Sequence, residues 1–375
     1  MDSTQYVCGR CVRQRFMKIP KSINRLSTHR GFTLIELMVA LLLGLLLSAA
    51  IVSVFLEGKN NFVQDDEVAR VQENGRYALR LLSREIGMAG FFGGEPDAVD
   101  VNGGAVSGND CGPAGEEWLL IGATPEDPSD PTNHIASPLE VLDNSDTTTD
   151  DYYQCLTDGL VVNGTDILVV KRVSDTAVID NGDWQLPDDL EDLDNERYYL
   201  LTENRGQGET ELAQGSDHEA DGNWSSVDDF ESGYDVWEYK AALFYVGTDE
   251  EVPSLCKKEL QDNGASISGQ RCLVQGIENI QYELGIDIDG DDVPDQFVSG
   301  DTYPPVVGGE DTDAIVAVRI HVLVRSLNQI NSMPAESKSY RLGGGTTVTT
   351  PTDQFYRMAM STTVSVRNPI SIGGS

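Results

Sequence analysis

The sequence predicts an α+β fold: one long N-terminal α-helix, with a transmembrane half and an amphipathic half, packed on an antiparallel β-sheet. Three observations carry that reading. From Phe32 to Leu56 run twenty-five residues in which Glu36 is the only ionisable side chain; as a helix this spans roughly 37 Å, enough to cross a bilayer. Directly after it, Phe62, Val63, Val68, Val71, Ala78, Leu79, Leu82, Ile86 and Ala89 recur at helical spacing, which marks one apolar stripe. Towards the C-terminus, period-two alternation replaces the helical period in several segments, the pattern of half-buried strands.

The helix is expected from Phe32 to about Ala89, which is 58 residues or roughly 87 Å. Asp65, Asp66, Glu67, Arg70, Glu73, Arg76, Arg80 and Arg84 fill the positions off the stripe and are expected to face solvent. Gly58 and Gly75 are candidate bends, each costing about 1 kcal/mol relative to Ala. Arg76, Arg80 and Arg84 stack at four-residue spacing, a like-charged ridge that mildly destabilises an isolated helix. Such a ridge is either a solvated face or a contact for acidic surfaces on neighbouring molecules.

Charge is segregated across the apolar run. Residues 1–31 hold seven Lys and Arg and one acid, so totals of 26 basic and 62 acidic residues leave 19 and 61 beyond Gly31, a net charge of −42 there. Lys and Arg beside a span stay cytoplasmic, which sends the bulk of the chain to the other side of the membrane. A surface this acidic argues against nucleic acid as a direct partner of that part of the chain, since such binding needs cations to displace counterions.

An acid inside a membrane helix costs about 2.5–3.5 kcal/mol on insertion scales, so Glu36 calls for a partner. The stretch Gly31-Phe32-Thr33-Leu34-Ile35-Glu36 after a basic leader resembles the class III signal of type IV prepilins and type II secretion pseudopilins. That resemblance implies cleavage between Gly31 and Phe32 by a prepilin peptidase, N-methylation of Phe32, and neutralisation of the Phe32 amine by Glu36 of a neighbouring subunit. Residues 1–31 then form a leader, 32–56 a filament-spine helix, 57–90 its amphipathic half and 91–375 an acidic β-rich domain. Cys8 and Cys11 have the CxxC spacing but no second ligand pair nearby, and a start at Met17 would leave a fifteen-residue leader.

Glu73–Arg80 with Met88–Phe91, Val318–Ile320 with Val324–Ser326, and Ser361–Asn368 resemble the PilW-type minor pilins. The resemblance implies a pilin-like fold and a minor pilin acting in initiation of assembly or in a filament-tip complex. Its implied partners are the prepilin peptidase and N-methyltransferase, other minor pilins and the major pilin. The implied location is the inner membrane with a periplasmic C-terminal domain, then the pilus at the cell surface. The alternatives are a type II secretion pseudopilin of the J class and a filament-tip adhesin or ligand-binding module.

In the remainder, strands are expected at Asp166–Val173, Tyr198–Thr202, Trp237–Val246, Ile277–Ile286, Ala314–Ser326 and Tyr356–Val366. Gly93 to about Asp151, with only short apolar runs such as Trp118–Ile121, reads as long loops carrying one strand, and the acidic stretches Asp183–Asp194 and Gly206–Asp235 read as surface excursions. Cys111, Cys155, Cys256 and Cys272 permit three connectivities; nearest-neighbour pairing, Cys111 with Cys155 and Cys256 with Cys272, is expected. Asp287, Asp289, Asp291 and Asp295 occupy the first, third, fifth and ninth places of an acidic turn, which is how carboxylates wrap Ca2+. Asp292 and Val298 stand where an EF-hand needs Gly and Glu, so a looser calcium loop competes with a plain acidic hairpin turn. No other cofactor is expected, and no enzyme: His29, His134, His218 and His321 are scattered, and neither a nucleophile elbow nor a P-loop is present. His321 is expected to be a solvated or hydrogen-bonded side chain.

Overall fold

The structure, a computed structural model, describes residues 31–93, 102–103, 138–142, 155–156, 159–180, 183–184, 193–194, 197–203, 210–214, 234–260, 267–300 and 314–371. It divides into two units, Met1–Gly58 and Lys59–Ser375. Helix α1 covers Leu34–Met88. Thr33 starts it: its Oγ1 accepts the Glu36 N–H at 3.3 Å, and its carbonyl accepts the N–H groups of Glu36 and Leu37 at 3.1 Å. Thr33 with Glu36 three places on is the sequence pattern of a capping box. At the other end Gly90 takes the left-handed conformation, φ 71°, that glycine supplies after a helix. Asn368 Nδ2 donates to the Ala89 carbonyl just beyond the helix at 3.1 Å.

In the first unit the large apolar side chains of α1 are exposed. In the second, Val71, Ala78, Leu79, Leu82, Ile86 and Ala89 are buried, as the stripe predicts. Two expectations need correction there. Phe62 and Val63 are exposed, because the packing of α1 on the sheets starts only one turn later, at Glu67. Glu67, expected in solvent, is buried. Gly58 and Gly75 both lie inside the one assigned helix.

Sixteen strands are assigned among the described residues. β1 (Asn102–Gly103), β2 (Leu139–Leu142), β3 (Ile167–Val173), β4 (Ile179–Asp180), β5 (Asp183–Trp184), β6 (Tyr198–Glu203), β7 (Thr210–Gln214), β8 (Tyr234–Asp249), β9 (Val252–Glu259) and β10 (Arg271–Gln275) form one sheet. β11 (Ile277–Asp287), β12 (Gln296–Ser299), β13 (Ala314–Arg325) and β16 (Arg357–Ser371) form a second in the order β12-β11-β13-β16, while β14 (Ser339–Arg341) and β15 (Thr347–Thr349) make a separate hairpin. Pairing is antiparallel except between β1 and β7 among the described residues. Each of the six expected strands is present, with ends shifted by up to five residues. β1, β2, β4, β5, β7, β9, β10, β12, β14 and β15 are not among those six. The Trp118–Ile121 segment lies outside the described residues, as does most of Gly93–Asp151.

One core joins the helix stripe to both sheets. Val71, Ala78, Leu82 and Ile86 meet Ile280, Tyr282, Leu284, Val318, Ile320, Val322 and Val324 of the second sheet, together with Leu139, Leu168, Val170, Phe244 and Val246 of the first. Gly75 lets α1 approach closely: a Cβ there would sit 2.5 Å from Met360 Sδ and 3.0 Å from Val324 Cγ2. On the other face of the first sheet, Phe92, Ile167, Val169, Tyr239, Leu243, Tyr245 and Cys256 make a second core.

Candidate functional site

In the first unit, Gly31, Phe32 and Thr33 are non-helical and Phe32 is 82% exposed. Glu36 stands in the first turn of α1, where the helix dipole favours a negative charge. Ile35, Val39, Ala40 and Leu43 line a shallow notch with it, and no ion-pair partner of Glu36 is found among the described residues. A carboxylate set in apolar surroundings at a helix start suits a cation brought by another molecule, since two opposite charges buried together are tolerable where one is not. TM-length and composition are met: α1 is long and apolar enough to cross a membrane, and none of its most apolar stretch is buried.

Within the second unit, Cys256 and Cys272 are joined by a disulfide and face each other across the β9–β10 pairing. Cys155 is also disulfide-bonded, and Lys258 Nζ donates to its carbonyl at 2.5 Å. Burial pushes the Lys258 ammonium below its ordinary pKa. Cys111 lies outside the described residues, as do Cys8, Cys11, His29, His134 and His218.

The acidic turn leaves the end of β11. Asp287 is buried, and its Oδ1 accepts the N–H groups of Asp289 at 3.2 Å and Gly290 at 2.8 Å, while its Oδ2 accepts that of Asp292 at 2.7 Å. Burial raises the Asp287 pKa, but these backbone donors outweigh it and the net shift is downward. Asp289 shifts upward, because the charges of Asp291 and Asp295 stand near it. Carboxylate oxygens of Asp287, Asp289 and Asp295 come within 4.8 Å of one another; Asp291 is not in that group and accepts the Val293 N–H at 2.9 Å. Asp295 accepts the Ile288 N–H at 2.8 Å. The turn is thus held by its own backbone donors, with three carboxylates placed where a hard cation could share them.

Polar clusters that periodicity could not reveal hold the second sheet to its surroundings. Glu283 on β11 accepts from Arg319 Nη1 at 3.1 Å and the Gly344 N–H at 3.1 Å, and lies 2.9 Å from His321 Nε2. Burial raises the Glu283 pKa, yet His321, Gly344 and Arg319 together hold it below the ordinary value. His321 is therefore hydrogen-bonded. Buried Arg357 reaches Glu278 at 2.5 and 2.9 Å and Asp353 at 2.6 and 2.7 Å. Glu67 accepts the Leu327 N–H at 3.2 Å and Asn328 Nδ2 at 3.0 Å, which explains why an acid can be buried on the helix stripe.

Residues 26–52 match the prokaryotic N-terminal methylation motif, which encloses Gly31, Phe32 and Glu36. Residues 243–368 match the family described as type IV pilus-assembly protein W. Together the two matches support a PilW-type type IV minor pilin. Its family match runs from Leu243 in β8 to Asn368 in β16, so it takes in the Cys256–Cys272 hairpin, the acidic turn and the second sheet except the last three residues of β16. No curated protein and no solved structure matches the chain at a significant level. The motif and the family match together support a pilus component that carries a prepilin processing signal.

Proposed function

We propose that this PilW-type chain is cut between Gly31 and Phe32, methylated on the new Phe32 amine, and assembled into a pilus as part of an initiation or tip complex with other minor pilins. The observation that carries the proposal is Glu36: a lone acid in an exposed apolar helix start, inside the methylation motif. Before assembly the Phe32–Leu56 segment spans the inner membrane, with the basic leader cytoplasmic and the acidic domain periplasmic. On assembly the same apolar surface packs on neighbouring subunits, and Glu36 pairs with a Phe32 amine. The partners are the prepilin peptidase with its methyltransferase activity, the other minor pilins and the major pilin. The match to the pilus-assembly family favours a pilus over a J-class secretion pseudopilin.

Two substitutions in the native host test this. Gly31→Val should leave the chain uncut, and Glu36→Val should leave it cut yet largely missing from sheared filaments. Wild-type incorporation of either variant would defeat the proposal.

A second reading concerns the acidic turn: Asp287, Asp289 and Asp295 bind Ca2+, favoured by the approach of their three carboxylates. Extracellular calcium modules bind at about 0.1–1 mM. Ca2+ in that range, and not Mg2+, should raise the melting temperature of the full chain, and Asp289→Asn should abolish the rise. Identical melting with and without Ca2+ would remove this reading.

A further inference from the structure

The second unit leaves a cationic ridge bare in a protein dominated by acids. Arg76, Arg80 and Arg84 are all exposed, and none makes an ion pair among the described residues. Several other arginines find carboxylates. Arg70 pairs with Asp66, Arg172 with Glu85, Arg319 with Glu283, and Arg357 with both Glu278 and Asp353. The contrast is sharpest at adjacent positions, since Glu85 reaches Arg172 while Arg84 beside it pairs with no acid among the described residues. Beyond Gly31 there are 61 acids for 19 bases, so a shortage of carboxylates is not the reason.

The geometry makes one surface of the three. At about 100° and 1.5 Å per residue they cover an arc of about 80° and about 12 Å of helix. Tyr77 borders the same arc and is 53% exposed, and Glu73 is the one acid on it. The buried stripe of Val71, Ala78, Leu82 and Ile86 lies elsewhere on the helix, so this chain's own core does not use the ridge. Like charges at four-residue spacing repel, which makes the ridge a cost to the isolated helix. Arg and Tyr are also the residues most enriched where protein interfaces carry their binding energy.

We propose that Arg76, Arg80 and Arg84, with Tyr77, dock the carboxylate-bearing surface of an adjacent filament subunit. Charge complementarity selects this occupant: guanidinium groups in a fixed fork match carboxylates in two-point hydrogen bonds. Lipid headgroups are a poorer match, because the ridge begins twenty residues past Leu56 and a membrane's surface field decays within a Debye length. The inference rests on the filament reading given above.

The test uses the full-length protein in its native host. A photo-crosslinking phenylalanine analogue replaces Tyr77, and two triple variants carry Glu or Lys at positions 76, 80 and 84. Crosslinked peptides should come from another pilus subunit and include Asp or Glu at the adduct. The triple Glu variant should fall about ten-fold in sheared filaments, while the triple Lys variant, which keeps the charge but loses the two-point fork, should fall by a smaller factor, as expected for an electrostatic contact sharpened by guanidinium geometry. Replacing the mapped carboxylates by Lys should restore the Glu variant. Adducts only to lipid, adducts to peptides without acids, or wild-type incorporation of the Glu variant would each overturn the docking. Mass analysis of the same samples separates the two claims. A chain cut at Phe32 but indifferent to ridge charge refutes the ridge alone, whereas an uncut chain in every strain refutes the filament reading and the ridge with it.

Discussion

In the first unit α1 leaves Leu41, Leu45, Ile51 and Phe55 more than half exposed, whereas in the second its Val71, Ala78, Leu82 and Ile86 are buried to 1% exposure or less. Both stretches are apolar and helical; what differs is who covers them. The stretch from Lys59 onward has a 3.6-residue stripe and finds its cover in two sheets of the same chain. The earlier stretch is apolar on every side, and burying each such side chain is worth about 1.5–3 kcal/mol, a gain available only from lipid or another helix. A uniformly apolar helix is thus a request for surroundings that the described residues of the chain do not supply.

The largest effect that can break this contrast is paired truncation. Leu82→Ala should cost about 2–5 kcal/mol of unfolding free energy in detergent-solubilised full chain, while Leu45→Ala should leave that value within about 0.5 kcal/mol. Equal losses would mean that the two stretches are not covered differently. Next comes the hairpin staple: a Cys256→Ser, Cys272→Ser double variant removes a bridge closing residues 16 apart and should lose about 3 kcal/mol by denaturant melt.

Glycines give a smaller and more local test. Gly75→Leu forces a side chain onto Met360 and Val324 and should cost about 1–3 kcal/mol. A Cβ at Gly58 meets nothing within 4 Å, so Gly58→Ala should be neutral or gain up to about 1 kcal/mol from helix propensity. Thermal melts of the two variants with opposite signs would support the assignment.

Titration gives the smallest effect. Asp353 is held below its ordinary pKa chiefly by the hydrogen bonds from Arg357, against burial. A depressed carboxylate contributes stability in full above its unfolded value of about 3.9, and the contribution fades as pH falls through the lower folded value. Asp353→Asn should therefore flatten the loss of stability below about pH 4 and change nothing in its slope near pH 7.

Sequence periodicity revealed the helix, its buried stripe and the strongest strands, because those depend on local spacing. It missed β9, where Pro253 and the Lys257–Lys258 pair break the alternation and the strand exists through its pairing with β8. Glu67 shows the same limit from the other side: its burial depends on Leu327 and Asn328, some 260 residues away. The Glu283–His321 contact likewise needs the β11–β13 register, which no linear spacing states. The Gly31–Glu36 motif was legible because an enzyme that reads a signal must read it locally.

Intact mass and N-terminal analysis of the protein from sheared surface filaments, beside a strain lacking the prepilin peptidase, tests the central claim most directly. The account predicts a chain beginning at N-methylated Phe32, present in filaments at low abundance and absent from them in the deficient strain. A chain that keeps residues 1–31 and stays in the inner membrane of both strains would contradict it.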